Sequence, residues 1–172
     1  MAWVYIVGGI VALLGFSVFF GAPYVPSRRR DLKRMFDELY PLSESDVVID
    51  VGSGDGVILR EASHRGAHAV GYEISPLLVA ISKWLSRGDK RVTVTMANFW
   101  LAQFPEATTV IYAFSVERDA KKLTRKIQSE ADRLNKPLIL ICYGSPLPHV
   151  TVKREFEAYH LYEFYPLQVS EA

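Results

Sequence analysis

The 172-residue chain has a single cysteine, Cys142, so no intrachain disulfide can form. It lies inside the apolar run PLILICY, where a buried, inert thiol is expected rather than a nucleophile. No cluster of histidine and cysteine has metal-ligand spacing, so no metal is expected. Charge of one sign is also missing. Lysine plus arginine number 20 against 19 aspartates and glutamates, which removes any broad electrostatic case for a nucleic-acid partner. Internal repeats and low-complexity segments are absent. A chain of this length is expected to hold one domain and an appendage.

One absence is local. Residues 2–22, AWVYIVGGIVALLGFSVFFGA, carry no charge. As a helix they would be roughly 30 Å long, matching the hydrocarbon core of a bilayer. Trp3 and Tyr5 sit near one end, where interfacial aromatics belong. Arg28, Arg29, Arg30, Lys33 and Arg34 follow on the other side, and the positive-inside rule puts that side in the cytoplasm. A cleaved signal peptide fits poorly, because MAWVY has no basic side chain and FFGAPY is a weak cleavage site. The expectation is a transmembrane anchor over residues 1–22: a single-pass membrane protein with its catalytic domain on the cytoplasmic side.

Residues 23–45 are expected to form a linker and a short helix. Pro23 and Pro26 stop the anchor from running on. Ser27 can cap a helix reaching about Leu39, with Leu32, Met35, Phe36 and Leu39 on one face. From residue 46 to 172, apolar strand patterns alternate with amphipathic helices. Strands are expected at 46–51, 68–74, 91–97, 108–115 and 136–144, and TVKREFEAYHLYEFYPL reads as one or two edge strands. This alternation predicts an α/β fold with a Rossmann-like, doubly wound, mostly parallel sheet.

The chemistry is concentrated in VVIDVGSGDG and VGYEIS. Gly52, Gly54 and Gly56 let the chain turn sharply after the first strand and let a ligand approach the backbone. The next helix points its N-terminal N–H groups at the same place. Glu73 ends the second strand, where a carboxylate can accept both hydroxyls of a ribose. The dinucleotide pattern G-x-G-x-x-G is not met, because position 57 is Val57. Asp55 places a negative charge in the turn, which disfavours a pyrophosphate. S-adenosyl-L-methionine has a ribose, a sulfonium and an ammonium but no phosphate, and it fits better. Asp50 can then serve the ammonium, and the turn around Ser53 the carboxylate. The plain alternative is a tight turn followed by a solvated acid.

These motifs resemble those of the class I, seven-β-strand methyltransferases. The order GAPYVPS, VGSGDG, AVGYEISPLLVAISKW, ANFW and CYGSPLPH resembles, more narrowly, the membrane-anchored protein-lysine methyltransferases related to the ATP synthase c-subunit and adenine nucleotide translocase enzymes. The resemblance implies that Tyr24, Pro26 and Ser27 help close the cofactor site and that Ile74 lies beside the adenine. It also implies that Asn98 and Phe99 complete the adenine side, with Asn98 standing where the family usually has aspartate. The segment YAFSVE lacks the Asn-Pro-Pro-aromatic signature of adenine N-methyltransferases, which argues against a base substrate.

The implied reaction is methyl transfer to a lysine side chain of a membrane-associated protein. It is an in-line displacement at the sulfonium carbon, in which orientation is the protein's contribution. An aromatic channel would favour the neutral amine. Tyr24, Phe99, Trp100, Phe114 and Tyr143 are its candidates, and no general base is assigned. The run KKLTRK, residues 121–126, reads as a solvated helix face. Two other functions stay open: a methyltransferase for a small or lipid-like molecule, and a non-catalytic cofactor-binding protein.

Overall fold

Residues 3–5, 8 and 29–167 are described by the structure, a computed structural model. Helix α1, Arg29–Leu39, precedes strand β1, Val47–Val51. Helix α2, Val57–His64, leads to β2, His68–Glu73. Then come α3, Pro76–Leu85, and strands β3, Val92–Met96, and β4, Val110–Ser115. The long helix α4, Glu117–Leu134, is followed by β5, Leu138–Gly144, β6, Arg154–Phe156, and β7, Tyr159–Phe164.

The expected transmembrane helix must be corrected. Among the described residues no helix is long and apolar enough to cross a membrane. The one described helix with sufficient length, α4, has 18 residues and is heavily charged throughout. Most of residues 2–22 lie outside the described residues. The single-pass localisation and its cytoplasmic orientation rested on that helix and are withdrawn with it.

The strands form one seven-stranded sheet in the order β3-β2-β1-β4-β5-β7-β6. The pairs among β1 to β5 are parallel, and β7 runs antiparallel to both β5 and β6. The C-terminal segment therefore does more than border the sheet. β7 is inserted between β5 and β6, and Tyr162 in its middle is fully buried. Alternating charge suggests an edge, but the alternation marks partly exposed positions between the deeply buried ones.

Side-chain alternation divides the core into two layers. Leu32, Met35, Phe36 and Leu39 of α1 pack with Val48, Ile58, Leu59, Tyr112 and Ile141 on one face. Ala120, Leu123 and Ile127 of α4 pack with Ile49, Ile111, Leu140 and Tyr162 on the other. The strand order reverses between β1 and β4, and a crevice at the carboxyl ends of such strands is the usual ligand position in open α/β sheets.

Gly71 in β2 is a point of close approach. A Cβ there would stand 2.6 Å from Leu59 Cδ1, 2.6 Å from Ser53 Oγ and 2.8 Å from Ser53 Cβ. Gly71→Ala is expected to cost about 1–3 kcal/mol through overpacking. A lowered urea midpoint with unchanged slope would show it; an unaltered midpoint would mean that the turn yields freely.

Candidate cofactor-binding site

β1 ends in a turn whose glycines adopt conformations that side chains rarely take. The φ angles are 84° at Gly52, 53° at Gly54 and 79° at Gly56. The Gly52 and Ser53 N–H groups both donate to the Tyr72 carbonyl, at 2.8 and 3.0 Å, which stitches the turn to β2. A Cβ on Gly52 would meet nothing within 4 Å, so this stretch of backbone borders open space. Gly56 is the opposite case, because a Cβ there would lie 2.2 Å from Ser82 Oγ on α3. Gly52 thus leaves room outside the turn, and Gly56 lets α3 pack behind it.

Glu73 closes the other side. Its Oε2 accepts the Gly54 N–H at 2.9 Å and its Oε1 accepts the Ser75 N–H at 2.8 Å. Both oxygens keep acceptor capacity, and the carboxylate is fixed in orientation. Asp50 lies at the end of β1 in register with Gly71 and Tyr112, and is 3% exposed. No described residue donates a hydrogen bond to it. Burial first, then the neighbouring Glu73 and Asp55 carboxylates, pushes its carboxyl well above the usual range. Ser53 is buried beneath the turn against Gly71, and its hydroxyl has no partner among the described residues.

Sequence reasoning missed the partner of Asp55. Arg60 donates to the Asp55 carbonyl at 2.5 Å and lies 3.4 Å from its carboxylate. Asp55 is therefore balanced locally by Arg60. The spacing from Asp55 to Arg60 is one helical turn and a residue, which leaves the contact unreadable without the turn geometry. Two buried carboxylates beside open backbone suit a ligand with hydroxyls and positive charge. S-adenosyl-L-methionine meets that requirement.

The residues expected on the adenine side follow the ends of β2 and β3, which one backbone hydrogen bond joins. The Ala97 N–H donates to the Glu73 carbonyl at 3.0 Å, which seats Asn98 one residue beyond that contact. Asn98 is exposed, and its Oδ1 accepts the Trp100 N–H at 3.1 Å. Ile74, 41% exposed, is one of the few large apolar side chains left open at the end of β2. Tyr24, Pro26 and Ser27 lie outside the described residues.

The aromatic candidates separate into two groups. Phe99 and Trp100 meet each other at 4.2 Å and pack against the α4 layer. Phe114 and Tyr143 are 6.0 Å apart, and Tyr143 packs against the α1 layer. Tyr143 in turn meets Tyr159, centroid to centroid 4.8 Å, a residue not anticipated from sequence. Burial pushes the Tyr159 hydroxyl up to about 12, against a lowering hydrogen bond with Tyr112. An open cleft lies close by, between Glu117, Arg118 and Lys121 on α4 and the loop from Ser145 to Pro148. The Leu147 N–H is held in that loop by the buried Tyr162 hydroxyl, at 2.9 Å.

The run 121–126 is not simply a solvated face. Lys122 Nζ lies 4.2 Å over the Trp100 ring, and the Lys126 side chain is 13% exposed. Cys142 is fully buried and its thiol is raised to about 12 by burial, as expected of an inert position.

Comparison with known proteins agrees with this geometry. The ATP synthase c-subunit lysine N-methyltransferase of Xenopus laevis is 31% identical over 137 residues, 73% of this chain and 59% of that protein. The human protein of the same name is 29% identical over 132 residues, 75% of this chain and 54% of its own length. The chain thus spans little more than half the length of these relatives. A protein-lysine N-methyltransferase of Saccharolobus islandicus is 31% identical over 115 residues, 63% of this chain and 69% of that protein. Among solved structures, an RNA methyltransferase from Salinibacter ruber in complex with S-adenosyl-L-homocysteine superposes with a TM-score of 0.72. It covers 86% of this chain and 98% of its own at 24% identity, which speaks for the fold alone. The model of the ANTKMT methyltransferase domain matches residues 50–154, from the acid of β1 to the start of β6, and the chain belongs to that family.

Proposed function

We propose that this chain is an S-adenosyl-L-methionine-dependent protein-lysine N-methyltransferase. The observation that carries the reading is the pair of buried carboxylates, Asp50 and Glu73, on either side of a glycine turn that borders open space. The names of the relatives, which specify a lysine of the ATP synthase c-subunit or a protein lysine, support a lysine acceptor on a protein. When bound, the cofactor supplies a methyl carbon already activated by its sulfonium.

Glu73, oriented by two backbone N–H groups, accepts the ribose hydroxyls. Asp50 faces the ammonium end, and the turn at Gly52, Ser53 and Gly54 lies along the methionine portion. Ile74, Asn98 and Phe99 border the adenine. The acceptor lysine enters by the cleft between α4 and the loop from Ser145 to Pro148, where Glu117 stands beside Arg118 and Lys121. The rings of Phe114, Tyr143 and Tyr159 then disfavour the ammonium form and release its proton to solvent.

Tyr143→Ala is accordingly expected to lower kcat by roughly tenfold or more, equivalent to ~1.4 kcal/mol. Cofactor affinity should hold, because Tyr143 lies on β5, with β4 between it and the glycine turn of β1. Equal losses in kcat and cofactor affinity would remove Tyr143 from the channel. The function itself is tested with radiolabelled S-adenosyl-L-methionine, the purified protein and extract of the native host. Label recovered as methylated lysine after hydrolysis supports the proposal. Label extracted into organic solvent would make the acceptor a small or lipid-like molecule. Cofactor binding with no label transferred would make the chain a binding protein.

A further inference from the structure

The loop after β3 is held by side chains of α4. Glu130 on that helix has a side chain 4% exposed. Its Oε2 accepts the Phe104 N–H at 3.1 Å and Arg133 at 2.6 Å, while its Oε1 accepts Lys126 Nζ at 2.6 Å. Lys126 also donates to the Ala102 carbonyl at 2.5 Å, and Arg133 to the Phe104 carbonyl at 2.5 Å. Three backbone groups of one short loop are thus bound by one buried ionic group. The cations hold the Glu130 carboxyl below its ordinary range although burial alone would raise it.

A buried ion pair is a costly way to fill space, and apolar residues of similar volume often do as well or better. What the charged group adds here is a fixed position for loop backbone. The Leu101 and Ala102 N–H groups both donate to the Asn98 carbonyl, at 3.0 and 3.2 Å. Asn98 is therefore tied at one end to the Glu73 carbonyl through Ala97, and at the other to Ala102, which Lys126 holds. The Asn98 carboxamide is exposed between these two anchors, and the Trp100 N–H fixes which of its ends is the acceptor.

We infer that Glu130 and Lys126 are positioning residues for adenine recognition, fixing the loop that aims the Asn98 carboxamide at the edge of the base. This rests on the cofactor reading above. A carboxamide can meet the amino group and adjacent ring nitrogen of adenine with one acceptor and one donor. Hypoxanthine turns the amino donor into a carbonyl acceptor and, on the Watson–Crick edge, the ring acceptor N1 into a donor, so an aimed Asn98 discriminates between them and a loosened one does not.

The test is calorimetric binding of S-adenosylhomocysteine and S-inosylhomocysteine to the full chain, with thermal unfolding in parallel. Wild type is expected to prefer the adenine compound by about tenfold or more. Lys126→Met keeps a side chain of similar length but removes the ammonium, which lies 5.1 Å over the Phe104 ring and grips Ala102; Glu130→Gln removes the charge. Each is expected to weaken adenine-compound binding about tenfold and leave inosine-compound binding nearly unchanged, so that the preference collapses. Should Glu130→Gln fail to fold, Lys126→Met carries the comparison. A folded variant that keeps the wild-type preference, or loses affinity for both compounds equally, would overturn the inference. Wild type binding neither compound would instead sink the cofactor reading on which it stands.

Discussion

Glu73→Ala is expected to weaken S-adenosyl-L-methionine binding by about 100-fold or more, roughly 3 kcal/mol. Hydrogen bonds to a charged group contribute about 1.5–3 kcal/mol each, and two ribose hydroxyls would lose theirs together. The substitution also strips an acceptor from the Gly54 and Ser75 N–H groups, so the turn itself loosens. Glu73→Gln separates the two effects. It keeps an oxygen for one N–H but loses the charge, and should fall between wild type and the alanine variant. Affinity unchanged by calorimetry in Glu73→Ala would defeat the ribose assignment.

Asp50→Asn is expected to move stability and binding in opposite directions. The folded protein raises this carboxyl through burial, then through Glu73 and Asp55. A raised carboxyl contributes stability that is fully present below the unfolded value, about 3.9, and lost as pH rises through the folded value. At neutral pH the ligand-free protein therefore carries a cost at Asp50, a carboxyl to which no described residue donates a hydrogen bond. Asparagine removes that cost, and the variant should be more stable at pH 7 by about 1–3 kcal/mol, a gain that disappears in acid. Cofactor affinity should fall roughly tenfold or more, because the charge facing the ammonium is gone. Wild-type affinity should also decline as pH falls through the raised value, while that of the variant stays flat. A variant less stable than wild type at pH 7 would show that Asp50 is already satisfied without ligand.

Both predictions use residues that local pattern makes visible. Asp50, the three glycines and Glu73 fall at strand ends and a turn, where the sequence alternation and the glycine spacing mark them directly. Their hydrogen-bond partners are not visible in the same way. Arg60 meets Asp55 only because Gly56 turns left-handed, and Tyr159 reaches Tyr143 only because β7 reverses direction and inserts beside β5. The lysines of 121–126 look solvated by composition, yet Lys126 is partly buried against the loop that holds Ala102. A long side chain can bury its stem and find a carbonyl, and periodicity does not register that.

The N-terminal stretch shows the limit from the other side. Its length and lack of charge describe a membrane helix, but hydropathy reports composition alone, and most of the stretch lies outside the described residues. Among the described residues no helix meets the requirement.

The amino-acid order by itself determined the class of fold, the order of strands and helices, and the chemical kind of ligand. Those follow from periodicity, backbone freedom at glycine and the placing of acids at strand ends, all of which act over a few residues. Tertiary structure alone decided the place of β7, the split of the aromatics between two faces, and the ionic group that holds the Asn98 loop. Each of these depends on contacts between segments far apart in the chain, where closure of the sheet and burial of polar groups choose the partner.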